Sequence, residues 1–194
     1  ATASFLPAVS QDGNFSVWDC CAASGGKAIM TWDHYHDIDL TVSDKRESIL
    51  ANLEKRFHNA GIRKYESFLI DLGHPEAFTP SGEFDLVIAD VPCSGSGTWG
   101  RSPENLLYFD PGKVSGYQLL QRTILSNIAS SVRGGGVLVY ITCSVFKKEN
   151  EANVAFVENE LGLICEQADI IRGYDERADT MFAARFRRPA SSKA

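Results

Sequence analysis

The chain has 194 residues, 44% apolar and 23% charged, enough to bury a central sheet beneath helices and ordinary for a soluble globular protein. No apolar run reaches bilayer-spanning length and no basic segment precedes an apolar core at the N-terminus, so the expectation is a cytoplasmic protein with no membrane partner. A formal net charge of −6 excludes a uniformly basic nucleic-acid surface; any grip on phosphates needs a local patch or a segment outside this chain.

Residues 1–15 lack periodicity and carry Pro7, Asp12, Gly13 and Asn14, which predicts a lead-in. A first strand over 16–21 runs into Gly25 and Gly26, and a helix follows over 27–35. A second strand is predicted over 39–43, then a helix over 45–59 with Ile49, Leu50, Leu53 and Phe57 on one face and Gly61 past its end. A third strand occupies 66–70. The near-continuous apolar run over 84–89 predicts a fourth strand, buried on both faces. Leu119, Leu120, Ile124, Ile128 and Val132 recur at helical spacing over 113–132, with Gly134, Gly135 and Gly136 as the stop. Another buried strand covers 137–141, a helix 150–161, and two final strands 163–166 and 181–186; the tail, 189–194, is expected to be disordered. Strands alternating with helices predict an α/β fold, a mostly parallel sheet with helices on both faces. Ligands in such sheets bind outside the carboxyl ends of the strands.

The segment from Asp19 to Lys27 joins the first strand to its helix. Its small residues let the backbone approach a ligand, and the helix start offers free N–H groups. Its spacing matches neither the dinucleotide glycine pattern nor a Walker loop. Asp44 ends the second strand, where ribose hydroxyls are held in nucleoside-binding sheets, and Asp71 ends the third, where a carboxylate accepts from an adenine amine. The plain alternative is a glycine turn and loop-capping acids. Three such features at successive strand ends favour the nucleoside pocket.

The five cysteines are odd in number and scattered, and Cys20 and Cys21 have no partner pair, so neither a disulfide framework nor a zinc site fits. Cys20 and Cys165 read as inert core thiols. Cys93 and Cys143 differ: each sits at a strand's carboxyl end beside small polar sequence, on strands expected to be neighbours.

With these residues in view, "DCCAASGGKA", "DLVIADVPCSGSG" and "YITCSVFKKENE" resemble the cofactor loop and the two cysteine motifs of the Nop/Sun (RsmB-like) RNA 5-methylcytosine methyltransferases, over Val17 to Arg187. The resemblance implies a Rossmann-like class I methyltransferase fold with a seven-stranded sheet, a catalytic domain over 16–188, S-adenosyl-L-methionine as cofactor and RNA as partner, rRNA ahead of tRNA. It implies Cys143 as the nucleophile, Cys93 as the group aiding release, and Asp90 as the acid contacting the cytosine ring. It implies a cofactor site of Cys21, Ala22, Ala23, Ser24, Gly25, Gly26 and Lys27 with Asp44, Asp71 and Asp90, and substrate contacts from Lys27 and Arg101. Ser24 stands where the family usually has proline, and Gly100-Arg101 where it often has two arginines. The family's catalytic domain normally follows RNA-binding sequence, so a missing N-terminal region is expected, and the domain is expected to be a monomer.

The chemistry is coherent. Carbon 5 of cytosine is a poor nucleophile until a thiolate adds at carbon 6. Free cysteine is only a few per cent thiolate at neutral pH, so the attacking thiol needs a modest local push, for which Lys27 is one source. Three rivals stay open: a DNA cytosine methyltransferase attacking through Cys93, a silent RNA-processing scaffold, and a nicotinamide-dependent dehydrogenase.

Overall fold

The computed structural model describes residues 2–8 and 15–190. Its strands are β1 (Phe15–Asp19), β2 (Ile38–Asp44), β3 (Glu66–Leu69), β4 (Phe84–Asp90), β5 (Val132–Thr142), β6 (Ile164–Ile171) and β7 (Met181–Arg187). Its helices are α1 (Gly26–Tyr35), α2 (Glu47–Asn59), α3 (Lys113–Ala129) and α4 (Glu151–Leu161). The seven strands form one sheet in the order β3-β2-β1-β4-β5-β7-β6. Every pairing from β3 to β5 is parallel, and β7 runs antiparallel to both β5 and β6.

Alternation along the central strands divides the core by face. Trp18, Val87, Leu138 and Tyr140 pack toward Ile124, Leu125 and Ile128 of α3 and Val157 of α4. Val17, Leu86, Ile88 and Val139 pack on the opposite face with Ala28 of α1 and Leu53 and Phe57 of α2. Both faces are therefore covered, as the strand–helix alternation predicts. The chain leaves β1 toward β2 and β3, then returns to β4 on β1's other side. That reversal opens a crevice at the carboxyl ends of β1 and β4.

Three sequence expectations shift. Within the predicted lead-in, Thr2–Phe5 forms a short 3-10 turn that seats Phe5 and Leu6 in the core; residues 1 and 9–14 lie outside the described residues. Helix α3 stops at Ala129, and Val132 pairs with Phe84 as the start of β5. Val132 keeps the helical phase of Ile128, so periodicity carries the helix too far. The three glycines are no stop: they lie inside β5 where its register against β4 shifts, and Gly135 takes φ +81°. Finally, β6 runs to Ile171, because an edge strand exposed along much of its length lacks the apolar signal of a buried one. Of the expected tail, residues 191–194 lie outside the described residues.

Candidate active site

The loop after β1 is sewn to its neighbours by backbone bonds. The amide of Cys20 donates to Ile88 O (2.9 Å) and that of Ala22 to Ser43 O (2.9 Å). Gly25 takes φ +83°, and a Cβ there would lie 2.7 Å from Phe57 Cε1 and 3.1 Å from Leu53 Cγ. Its glycine thus lets α1 start against α2, whereas a Cβ on Gly26 would meet nothing within 4 Å. Ser24 is held from outside: the Arg56 guanidinium donates to its carbonyl (2.8 Å) and its hydroxyl (2.7 Å).

Beside this loop lies a cavity of about 420 Å³ at the ends of β1 to β4. Cys21, Ala23, Asp44, Asp71 and Asp90 line it, facing an apolar wall that includes Ile70, Leu120 and Ile124. Of the other expected cofactor-loop residues, Ala22, Ser24, Gly25, Gly26 and Lys27 shape the loop rather than the wall. Asp44 accepts from the Ala23 amide (3.0 Å), the Arg46 amide (3.0 Å) and the Arg46 guanidinium (2.9 and 3.1 Å). Burial alone would raise its carboxyl, but these donors outweigh it and hold Asp44 below the usual carboxylate range. Asp71 Oδ1 accepts from the Gly73 amide (2.9 Å). Behind the loop Asp19 is wholly buried, and neither carboxylate oxygen has a hydrogen-bond partner of normal geometry. Burial first, then the charge of Asp90, pushes its pKa to about 7, with Lys27 and the amides of Ala28 and Cys21 only partly opposing.

Asp90, Cys93 and Cys143 lie at or just beyond the adjoining tips of β4 and β5, where Asp90 pairs in register with Ile141. The Cys93 and Cys143 sulfurs are 3.0 Å apart, both partly buried. A hydrogen bond from the Cys93 thiol lowers Cys143 below the ordinary thiol value against the opposing effects of burial and of Asp90. The same contact, with burial, pushes Cys93 well up. The neighbour that favours a Cys143 thiolate is therefore Cys93. Lys27, one expected source, instead ion-pairs with Asp90 Oδ2 at 2.9 Å. Arg101 makes a two-pronged pair with Asp179 (3.1 and 2.9 Å). Among the described residues, no cluster of His, Cys, Asp or Glu is arranged to hold a metal ion.

Gly97 locks the two cysteine loops together. Its amide donates to Cys143 O (2.8 Å), and its carbonyl accepts from the Thr180 amide (2.9 Å). A Cβ there would sit 1.9 Å from Thr180 O, a backbone atom that cannot swing aside. Gly97→Ala is expected to destabilise the fold by about 3 kcal/mol, read as a lower urea midpoint at unchanged slope.

Sequence reasoning missed the buried polar residues beneath the cysteines: Gln121, Tyr140, Glu149, Asn150 and Asn153. The only signal was the Glu-Asn pair closing the last quoted motif, and it reads as the solvated start of a helix.

Comparison with known proteins identifies the family and the fold. Over 147 residues the chain is 30% identical to ribosomal RNA small subunit methyltransferase B of Xanthomonas campestris, covering 73% of this chain and 33% of that protein. It is 33% identical to the mouse tRNA (cytosine(72)-C(5))-methyltransferase NSUN6, covering 72% of this chain and 31% of that one. The chain thus spans about a third of the length of these relatives. The crystal structure of PH0851 superposes with a TM-score of 0.82 at 25% identity, over 95% of this chain and 44% of that one. NSun6 from Pyrococcus horikoshii with SFG gives 0.79 at 20% identity, over 90% and 48%. The fold is therefore the Rossmann-like fold of methyltransferases. The family model described as 16S rRNA methyltransferase RsmB/F matches residues 7–163, and the chain belongs to that family.

Proposed function

We propose that this chain is the catalytic domain of an RNA (cytosine-5)-methyltransferase that uses S-adenosyl-L-methionine and acts on rRNA. The observation that carries the reading is the meeting of two thiols, 3.0 Å apart, at strand tips beside a cavity walled by Asp44, Asp71 and Asp90. The residues present fit the cofactor. A carboxylate at the β2 tip suits a ribose diol, the apolar wall suits a flat ring, and Asp71 suits an exocyclic amine. The half-exposed Arg46 guanidinium also binds Asp44 at the cavity, so a diol bound there would take the place of its hydrogen bonds.

When bound, S-adenosyl-L-methionine supplies the methyl group. The remaining chemistry belongs to the chain. Cys143, as thiolate, adds to carbon 6 of the cytosine and makes carbon 5 nucleophilic. Asp90, steadied by Lys27 through Oδ2, holds the edge of the ring. Once the Cys143 sulfur is bonded to carbon 6 it no longer competes for a proton. Cys93 then releases its thiol proton to water and, as thiolate, takes the proton from carbon 5, after which the carbon 6–sulfur bond breaks and returns Cys143 as thiolate. A half-buried aromatic cluster supports single-stranded RNA as the substrate: Trp99 meets Phe109 at 4.9 Å, and Phe109 stacks on Phe146 at 5.3 Å, three residues beyond Cys143. The names of the bacterial relatives favour rRNA over tRNA.

The test is calorimetric titration with S-adenosylhomocysteine, followed by transfer of labelled methyl to small-subunit rRNA and identification of the modified nucleoside. Binding is expected, with 5-methylcytidine as product. Asp44→Ala is expected to weaken binding by about 10- to 100-fold, the loss of charge-assisted hydrogen bonds. Binding of a nicotinamide cofactor instead, or a product methylated elsewhere, overturns the reading.

A further inference from the structure

Glu149, preceded by two lysines and followed by Asn150 and Glu151, has the local sequence of a surface residue, yet it is wholly buried. Its Oε1 accepts from the Ser94 amide (2.8 Å) and from Gln121 Nε2 (3.0 Å), and its Oε2 accepts from the Ser144 hydroxyl (2.6 Å). Ser94 directly follows Cys93, and Ser144 directly follows Cys143. One carboxylate thus grips the residue after each thiol. All three donors are neutral. An acid suits this position because it offers two oxygens and no donor, whereas an amide would turn an N–H toward one of the groups it must accept from.

The surroundings hold that carboxylate still. The Tyr140 hydroxyl donates to the Glu149 carbonyl (2.6 Å), and Asn153 Nδ2 donates to the Tyr140 hydroxyl (3.0 Å). Asn150 accepts from the Thr142 hydroxyl (2.7 Å) and donates to Ser144 O (2.8 Å), so both sides of Cys143 are tied to the same network. Ser96 completes it by accepting from the Val145 amide (2.9 Å). Such satisfied buried networks select one geometry.

We infer that Glu149 is a positioning residue that sets the Cys93–Cys143 separation by accepting hydrogen bonds from the residue following each cysteine. Its functional meaning rests on the reaction proposed above, but the positioning itself is measurable without RNA or methyl donor. In a glutathione redox buffer, Cys93 and Cys143 together pass two electrons and two protons to one oxidised glutathione, giving one disulfide and two reduced glutathione molecules. The equilibrium reports the effective concentration of one thiol at the other. Peptide mass spectrometry scores the Cys93–Cys143 disulfide in the wild-type chain and in Glu149→Gln, Glu149→Ala and Ser144→Ala.

Glu149→Ala is expected to lower the effective concentration by about tenfold or more, and Glu149→Gln and Ser144→Ala by smaller factors. In methyl transfer these variants are expected to lose kcat while KM for S-adenosyl-L-methionine holds. Should Glu149→Ala fail to fold, Glu149→Gln and Ser144→Ala carry the test. An unchanged disulfide equilibrium in those folded variants overturns the positioning role, whether or not the protein methylates RNA. Loss of thiol coupling in a chain that transfers no methyl group upholds the positioning role and removes the reaction instead.

Discussion

Alanine at position 143 is expected to leave no methyl transfer to cytosine, and alanine at position 93 is expected to leave RNA covalently attached to the protein. Without the Cys143 sulfur, carbon 5 never gains the electron density to accept a methyl group, and the rate should fall by at least about 10⁴-fold, as when a nucleophile is removed from other enzymes. Without Cys93, addition and methylation proceed, but the proton on carbon 5 has no base to take it and the carbon 6–sulfur bond persists. The two roles follow from one contact, since the 3.0 Å hydrogen bond that keeps Cys93 protonated lowers Cys143. Cys93→Ala removes that donor, so alkylation of Cys143 at neutral pH should also slow. Denaturing gels of protein–RNA adducts and the pH dependence of alkylation measure both effects. Methylation by Cys143→Ala, or adducts trapped by that variant instead, would falsify the assignment and revive attack through Cys93.

Asp19→Asn is expected to change the pH dependence of stability more than any other single substitution outside the thiols. The Asp19 carboxyl rises from an ordinary value of 3.8 to about 7 in the fold. Between those values the unfolded chain has released the proton and the folded chain has kept it, so stability falls as pH rises and levels off above about 7. That span corresponds to about 4 kcal/mol. Asparagine does not titrate. Whatever offset it introduces at pH 4, its stability relative to the wild-type chain should therefore improve by up to about that amount by pH 8. Urea denaturation of both proteins across this range measures it. Parallel stability curves would show that Asp19 ionises freely in the fold.

The elements most legible in the sequence were those buried on both sides. The runs in β4 and β5 contain almost no polar residue because no face of them meets water. The edge strand β6 was legible for only part of its length, since its side chains alternate with solvent and include Glu166, Gln167 and Asp169. At the site, Asp44 and Asp71 were read from their places at the ends of β2 and β3 and Asp90 from the family resemblance, and the fold brings all three to one cavity. Cys93 and Cys143 stood out because each lies at a strand tip beside small polar sequence, and the structure brings their sulfurs together. Glu149 was illegible: its burial is imposed by Ser94, Gln121 and Ser144, from three separate segments, and local sequence carries no trace of such partners. Arg46 was illegible for the same reason, its side chain turning back onto Asp44 only once the loop after β2 has formed.

The place of β7 has a consequence for synthesis of the chain. β6 is made first, yet β7 lies between it and β5, so β6 has no partner until the final strand emerges from the ribosome. Until then the open flank of β5, with Leu138, Tyr140 and Ile141, offers unpaired backbone to any other nascent strand. A product cut short before Met181 should accordingly self-associate and precipitate, even though every residue assigned to chemistry is already in it.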